Sequence, residues 1–286
     1  MLNAASHAPA SDYGQQAEKA PELVCISISA VGALMEEEIH GPGRLRGWLT
    51  PTELRTFQAF TVPKRRLDWL AGRLAAKEAI RARLDTGGRD SFRTIEIVPS
   101  ILAQDSGRPR YTVHGHEGPL GLSICHAGDI AAAALASYPK WEIGIDLERA
   151  LPREASLESV ALSNRERHQL RSLEFADRHR AVTLIWVVKE SLLKALGLGL
   201  RMPLGQLTVH LERIRDCCTS TTDDTSYSGV TALAGEPLFS IEREADHLHP
   251  LLPKLGQVPM RLSTFSLEGA LGCWVMLPAE EESWRH

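Results

Sequence analysis

Asp146, Glu148 and Glu190 are the residues whose types and spacing can do chemistry in this sequence. The first two lie in EIGIDLER, residues 142–149, where Ile143, Ile145 and Leu147 alternate with Glu142, Gly144, Asp146 and Glu148. That alternation predicts a strand that buries its aliphatic face and projects Asp146 and Glu148 together from the other. Residues two apart on a strand are about 6.6 Å apart at Cα, so both carboxylates can reach one cation. Gly144 beside them admits close approach of a ligand or of another backbone. On spacing alone the segment is also an ordinary solvated strand face with alternating acids.

Glu190 belongs to RHRAVTLIWVVKESLLKALGLGL, residues 178–200. Val182, Ile185, Trp186, Lys189, Leu193 and Leu196 fall at helical spacing, and Gly197 and Gly199 end the helix. Glu190 and Lys194 stand at i and i+4, a surface pair contributing about 0.3–0.5 kcal/mol. The functional alternative makes Glu190 a third oxygen ligand, with Lys189 and Lys194 supplying positive charge where phosphates bind. Three other segments carry cations. DSGRPRY, residues 105–111, is a turn fixed by Gly107 and Pro109 that projects Arg108 and Arg110. LSICHAGD sets His126 at a strand end before a small-residue turn. VPKRRLDWLAGRLAAKEAI puts Lys64, Arg65 and Arg66 at the start of a helix. Each also has a structural reading: a common hairpin, a satisfied histidine, a solvated basic turn.

The elements that must hold these residues repeat along the chain. Thr50, Pro51 and Glu53 form a capping box with proline at the first helical position, and Ser163 with Glu166 repeats the spacing, so both open helices. Lys77-Glu78 matches Lys189-Glu190, and the strand-like Ile95-Glu96-Ile97 matches Leu207-Thr208-Val209, both at an offset of 112 residues. LSICHAGDIAAAALAS from Leu122 pairs loosely with LSTFSLEGALGCWVML from Leu262, the wider offset being absorbed by a polar stretch at about 216–246 that reads as an insertion or long loop. The expected organisation is a flexible N-terminal tail (1–21), an N-terminal α+β half (22–140) and a C-terminal α+β half (141–280) that carries the acids. A duplicated fold creates a cleft at its seam.

Composition bounds the remaining possibilities. A chain of 286 residues, at roughly 150 per domain, allows two compact units. Hydrophobic residues at 43% and charged residues at 24% exclude a disordered or collagenous chain. The net charge of −4 disfavours a generic nucleic-acid binder, and the apolar runs are too short to span a bilayer. The N-terminus has no basic start followed by an apolar stretch, so a cytoplasmic location is expected. Five cysteines without a CxxC pair, two of them adjacent (Cys217 and Cys218), read as reduced thiols. The histidine pairs His114/His116 and His247/His249 lack a nearby carboxylate or cysteine cluster to complete a metal site.

Taken together and in order, GRP, ICHAG, GIDLE and WVVKESLLKALGLGL resemble the motifs of the Sfp-type 4′-phosphopantetheinyl transferase family. The likeness covers roughly residues 49–203 and, less distinctly, the closing strand near 262–277. It implies a pseudo-duplicated 4′-phosphopantetheinyl transferase fold of class α+β, two similar halves with the active site at their interface. It also implies Mg²⁺-dependent transfer of the phosphopantetheine arm of coenzyme A (CoA) onto a serine of an acyl or peptidyl carrier protein, releasing adenosine 3′,5′-bisphosphate. By the same likeness Asp146, Glu148 and Glu190 are the Mg²⁺ carboxylates, and Glu190 doubles as the candidate base. Lys194 and Lys189 would meet the pyrophosphate, Arg108 and Lys64 the nucleotide end with its 3′-phosphate, and His126 a CoA phosphate. Cys125 replaces the usual serine before the histidine, and Arg108 stands where lysine is frequent. A chain holding both halves is expected to be a monomer, with the carrier bound at the inter-half region and the helix bearing Arg165, Arg167 and Arg171. The competing readings are a catalytically silent module that binds CoA or a carrier protein, and a Mg²⁺-dependent phosphohydrolase.

Overall fold

The structure, a computed structural model, describes residues 20–37, 44–84, 91–99, 107–151, 155–199, 202–210, 231–232, 239–241 and 260–279. The expected tail therefore lies almost wholly outside the described residues, as does most of the 216–246 stretch. Within that stretch two short strands are described, so it is not loop throughout.

The elements run β1 (Glu22–Ser27), α1 (Ile28–Glu37), α2 (Arg44–Trp48), α3 (Pro51–Ala59), α4 (Pro63–Leu84), α5 (Ser91–Thr94), β2 (Ile95–Pro99), β3 (Pro109–Val113), β4 (His116–Glu117), β5 (Leu122–Ala127), β6 (Ile130–Leu135) and β7 (Trp141–Arg149). They continue with α6 (Ala155–Ala161), α7 (Asn164–Leu170), α8 (Phe175–Leu196), β8 (Leu207–Val209), β9 (Thr231–Ala232), β10 (Phe239–Ile241), β11 (Arg261–Leu267) and β12 (Ala270–Pro278). Helix and sheet are thus mixed, with antiparallel strand pairing among the described residues.

One sheet has the order β1-β6-β5 and another β7-β12-β11-β9; two smaller ones are β2-β3-β4 and β10-β8. The long helix α4 packs on β1, β5 and β6, and α8 packs on β7 and β12. Strand β6, IAAAAL, explains how the two larger sheets come together. Ala131, Ala133 and Leu135 join the clusters under α4, while Ala132 and Ala134 join Ile143, Ile145, Leu147 and Trp274. A strand covered on both faces has no polar side, which is why its sequence does not alternate. The layers stack as helix, sheet, sheet, helix.

Both capping boxes form as expected, Thr50 with Glu53 at α3 and Ser163 with Glu166 at α7. Each box glutamate has a second task. Glu53 takes the ammonium of Lys77 and the Ile97 amide, and Lys77 also donates to the Trp48 and Phe92 carbonyls. Glu166 takes the ammonium of Lys189 and the Val209 amide, and Lys189 also donates to the Ala161 and Leu204 carbonyls. Every hydrogen of each buried ammonium thereby finds an acceptor, the condition under which a lysine can be fully enclosed. Each knot ties a long helix to a capping box and a short strand.

A different cap serves α1. Asp129, in the turn between β5 and β6, accepts the Ser29 amide at 2.7 Å and the Ser29 and Ser27 hydroxyls at 2.7 and 2.8 Å. Its own carbonyl takes the Ile28 amide. These bonds hold the Asp129 carboxyl below the ordinary aspartate pKa, led by the Ser29 hydroxyl.

Candidate active site

Strand β7 extends over Trp141–Arg149, one residue beyond the expected segment. Ile143, Ile145 and Leu147 face the sheet interface, and the opposite face meets α8. The backbones approach most closely at Gly144, where any Cβ would collide with the Ser191 carbonyl and lie 2.6 Å from the Ala195 amide nitrogen. Of the two reasons for a glycine there, close backbone approach is the one realised. The contact seats Glu190 and Lys194 of α8 over Asp146 of β7.

Lys194 donates to Asp146 Oδ1 at 2.6 Å and to the Ile145 carbonyl at 3.0 Å. The strand aspartate, not Glu190, is therefore its ion-pair partner, which replaces the expected i, i+4 surface pair. Burial opposes the charge on Lys194, but Asp146, Cys125 and Glu190 outweigh it and hold its pKa above the ordinary lysine value. Glu190 is 9% exposed, and its Oε1 is enclosed without a hydrogen bond. Burial first, then the charges of Asp146 and Glu148, push its pKa above the ordinary glutamate value, with Lys194 opposing. Glu190 thus shares one electrostatic environment with both strand acids.

Among the described residues no three His, Cys, Asp or Glu side chains are already gathered closely enough to hold a metal ion together. The donor chemistry nevertheless fits a hard divalent ion. The carboxylates supply oxygen only, and Glu190 Oε1 is buried with no donor to it. Mg²⁺ commonly takes one or two carboxylates and fills its shell with phosphates and water.

Beside Lys194 opens a cleft of about 220 Å³, lined by Gly107, Arg108, Pro109, Leu122 to Ile124, Gly197 and Gly199. It lies where β5 abuts β7, and the Ser123 hydroxyl accepts the Ile145 amide across that junction at 3.1 Å. Arg108 reaches the cleft wall, but its guanidinium engages the Ala195 carbonyl at 2.6 Å and Glu142 at 3.2 Å. Lys64 and His126 come together elsewhere, through Asp68. Lys64 Nζ lies 2.7 Å and His126 Nε2 3.8 Å from Asp68 Oδ2, and both side chains are exposed.

Lys189 is the exception to the expected set. It is 0% exposed and knotted to Glu166, so it is not available to a pyrophosphate. Its place in the apolar stripe of the helix was the signal, since a lysine at core spacing has to find acceptors inside. Sequence reasoning missed Asp68, whose pairing with Lys64 is i, i+4 on α4, and it missed Ser123 and the partnership of Glu142 with Arg108 and Arg110, which form between residues distant in the chain.

The family model of the 4′-phosphopantetheinyl transferase superfamily matches residues 142–237, which contain α8 and all of β7 but Trp141. The holo-[acyl-carrier-protein] synthase of Streptococcus agalactiae serotype III (strain NEM316) is 41% identical over 88 residues, 30% of this chain and 71% of that protein. That of Streptococcus thermophilus (strain ATCC BAA-491 / LMD-9) is 33% identical over 111 residues, 38% of this chain and 89% of that protein. The chain belongs to the 4′-phosphopantetheinyl transferase superfamily. The crystal structure of the holo-[acyl-carrier-protein] synthase from Neisseria meningitidis is similar over 40% of this chain and 94% of that one, at 27% identity and a TM-score of 0.32. This transferase-superfamily chain has no helix among its described residues long and apolar enough to cross a membrane.

Proposed function

We propose that the protein transfers the 4′-phosphopantetheine arm of CoA to a serine of an acyl or peptidyl carrier protein, with Mg²⁺ held by Asp146, Glu148 and Glu190. The observation that carries this reading is Glu190 Oε1, buried without a hydrogen bond on a carboxyl that shares its surroundings with two more acids. Such a group calls for a cation or a proton. Membership of the superfamily and the likeness to holo-[acyl-carrier-protein] synthases supply the reaction class.

In the reaction the serine Oγ bonds to the β-phosphorus of CoA and the bond to the departing adenosine 3′,5′-bisphosphate breaks. Bound Mg²⁺ would neutralise charge on the pyrophosphate. Glu190 first serves as a ligand oxygen; receiving the serine proton, directly or through a water, is its second role and competes with the first, because a carboxylate held by Mg²⁺ is a weaker base. Lys194 keeps Asp146 oriented and offers its ammonium to the phosphates at the cleft wall. The exposed Lys64 and His126, joined through Asp68, are suited to phosphates of the nucleotide end.

In this reading the chain is a monomer of two similar halves, residues 22–140 and 141–280, with the site where they meet. The twin lysine knots and the matching strand orders β1-β6-β5 and β7-β12-β11 support that division. The test is incubation with CoA, Mg²⁺ and a panel of apo carrier proteins, followed by intact mass. Gain of one phosphopantetheine arm is the expected result. No gain on any carrier would leave a binding module, and phosphate release without a carrier would indicate a phosphohydrolase.

A further inference from the structure

The expected role of Arg108, to read the 3′-phosphate of CoA, sits poorly with where its guanidinium goes. Only 9% of Arg108 is exposed. One terminal nitrogen donates to the carbonyl of Ala195, and the other lies 3.2 Å from Glu142 Oε1. Ala195 is in the last turn of α8, directly after Lys194, and Glu142 is near the start of β7, four residues before Asp146. One side chain from the turn before β3 therefore spans the two elements that carry the candidate site.

Helix termini explain why the contact matters. The last carbonyls of a helix lack partners within it. In α8 the Leu193 and Lys194 carbonyls are taken by the amides of the left-handed Gly197 and of Leu198 after it, whereas Arg108 serves the Ala195 carbonyl. A cation there also complements the negative end of the helix dipole. Arg110 holds Glu142 from the other side, at 2.8 Å, and so steadies the anchor for Arg108.

We propose that Arg108 is a positioning residue: it fixes the end of α8 on β7 and thereby sets Lys194 and Glu190 against Asp146, without reading the CoA 3′-phosphate. The proposal rests on the transferase reading above. In an Arg108→Ala protein Glu142 still has Arg110, so no buried carboxylate is abandoned and the fold should survive. Arg108→Lys keeps the charge but cannot make two divergent bonds from one planar fork.

The experiment compares R108A, R108K and E142Q with the wild type, using CoA and dephospho-CoA as donors to an apo carrier. Hydrogen exchange is measured in parallel at amides 195–198. The expected result is a fall in kcat of about 10- to 100-fold for R108A, the scale on which small misplacements act. The preference for CoA over dephospho-CoA should stay unchanged, R108K should recover part of the loss, and exchange should be faster in R108A and E142Q. A rise in KM for CoA alone, with kcat and exchange as in the wild type, would overturn the proposal and return Arg108 to the 3′-phosphate. If the wild type modifies no carrier, the transferase reading fails. Exchange then still decides whether Arg108 secures the helix end: faster in both variants supports the role, unchanged overturns it.

Discussion

Gly144 of β7 and Ser191 of α8 meet backbone to backbone, leaving no room for a single added carbon. Asp146 lies two residues along the strand from this contact, and Glu190 adjoins it on the helix. Gly144→Ala must therefore lift the helix from the strand. Overpacking of this kind costs about 1–3 kcal/mol. The expected outcome is a lower urea midpoint together with a loss of transferase turnover larger than the unfolded fraction explains. A variant as stable and active as the wild type would mean that the contact does not set the site.

Asp146→Asn removes both a candidate Mg²⁺ ligand and the partner of Lys194. Turnover should drop by about a hundredfold or more, as when a charged group needed in the transition state is lost. Raising Mg²⁺ should restore only part of it. Steady-state rates across a Mg²⁺ titration give the answer, and normal kinetics at ordinary Mg²⁺ would remove Asp146 from the site.

Lys189→Met and Lys77→Met should behave alike in unfolding. Each breaks a fully enclosed ion pair and strands a glutamate, a change that costs about 3–5 kcal/mol. Urea melts of the two variants check this. A Lys189→Met protein that keeps its stability but loses CoA affinity would reinstate Lys189 as a phosphate contact.

The cap on α1 has a pH signature. The folded pKa of Asp129 lies below its unfolded value, so its stabilising effect is complete above the unfolded value, about 3.9, and disappears as pH falls through the depressed folded value. Asp129→Asn should therefore be less stable than the wild type at neutral pH. The gap between the two should close in strong acid. Chemical denaturation at a series of pH values measures the gap, and a constant difference would rule out the carboxylate as its source.

Local patterns were readable in the sequence and long-range pairings were not. The two capping boxes depend on residues three apart, and the alternation of β7 on neighbours two apart, so both could be found by spacing. Gly144 announced a close approach, though only the fold says that the helix backbone is what approaches. Lys189 followed helical core spacing yet carries a charge, and its type suggested phosphate while its position pointed inward. The partners that decided its role, Glu166 and the Leu204 carbonyl, lie 23 and 15 residues away. The Arg108 contact was out of reach of spacing for the same reason, since its acceptor on Ala195 is 87 residues distant. The 216–246 stretch, polar over its first part, reads as an insertion or long loop, and its two described short strands pair with β11 and β8, partners far from them in the sequence.

Strand β6 works as a spacer of minimum thickness. Because Ala132 and Ala134 bring only a methyl group each to the interface with Ile143, Ile145 and Leu147, the spacing of the two larger sheets is governed from the middle of the molecule. A bulkier residue at either alanine would act as a shim and pry the layers apart.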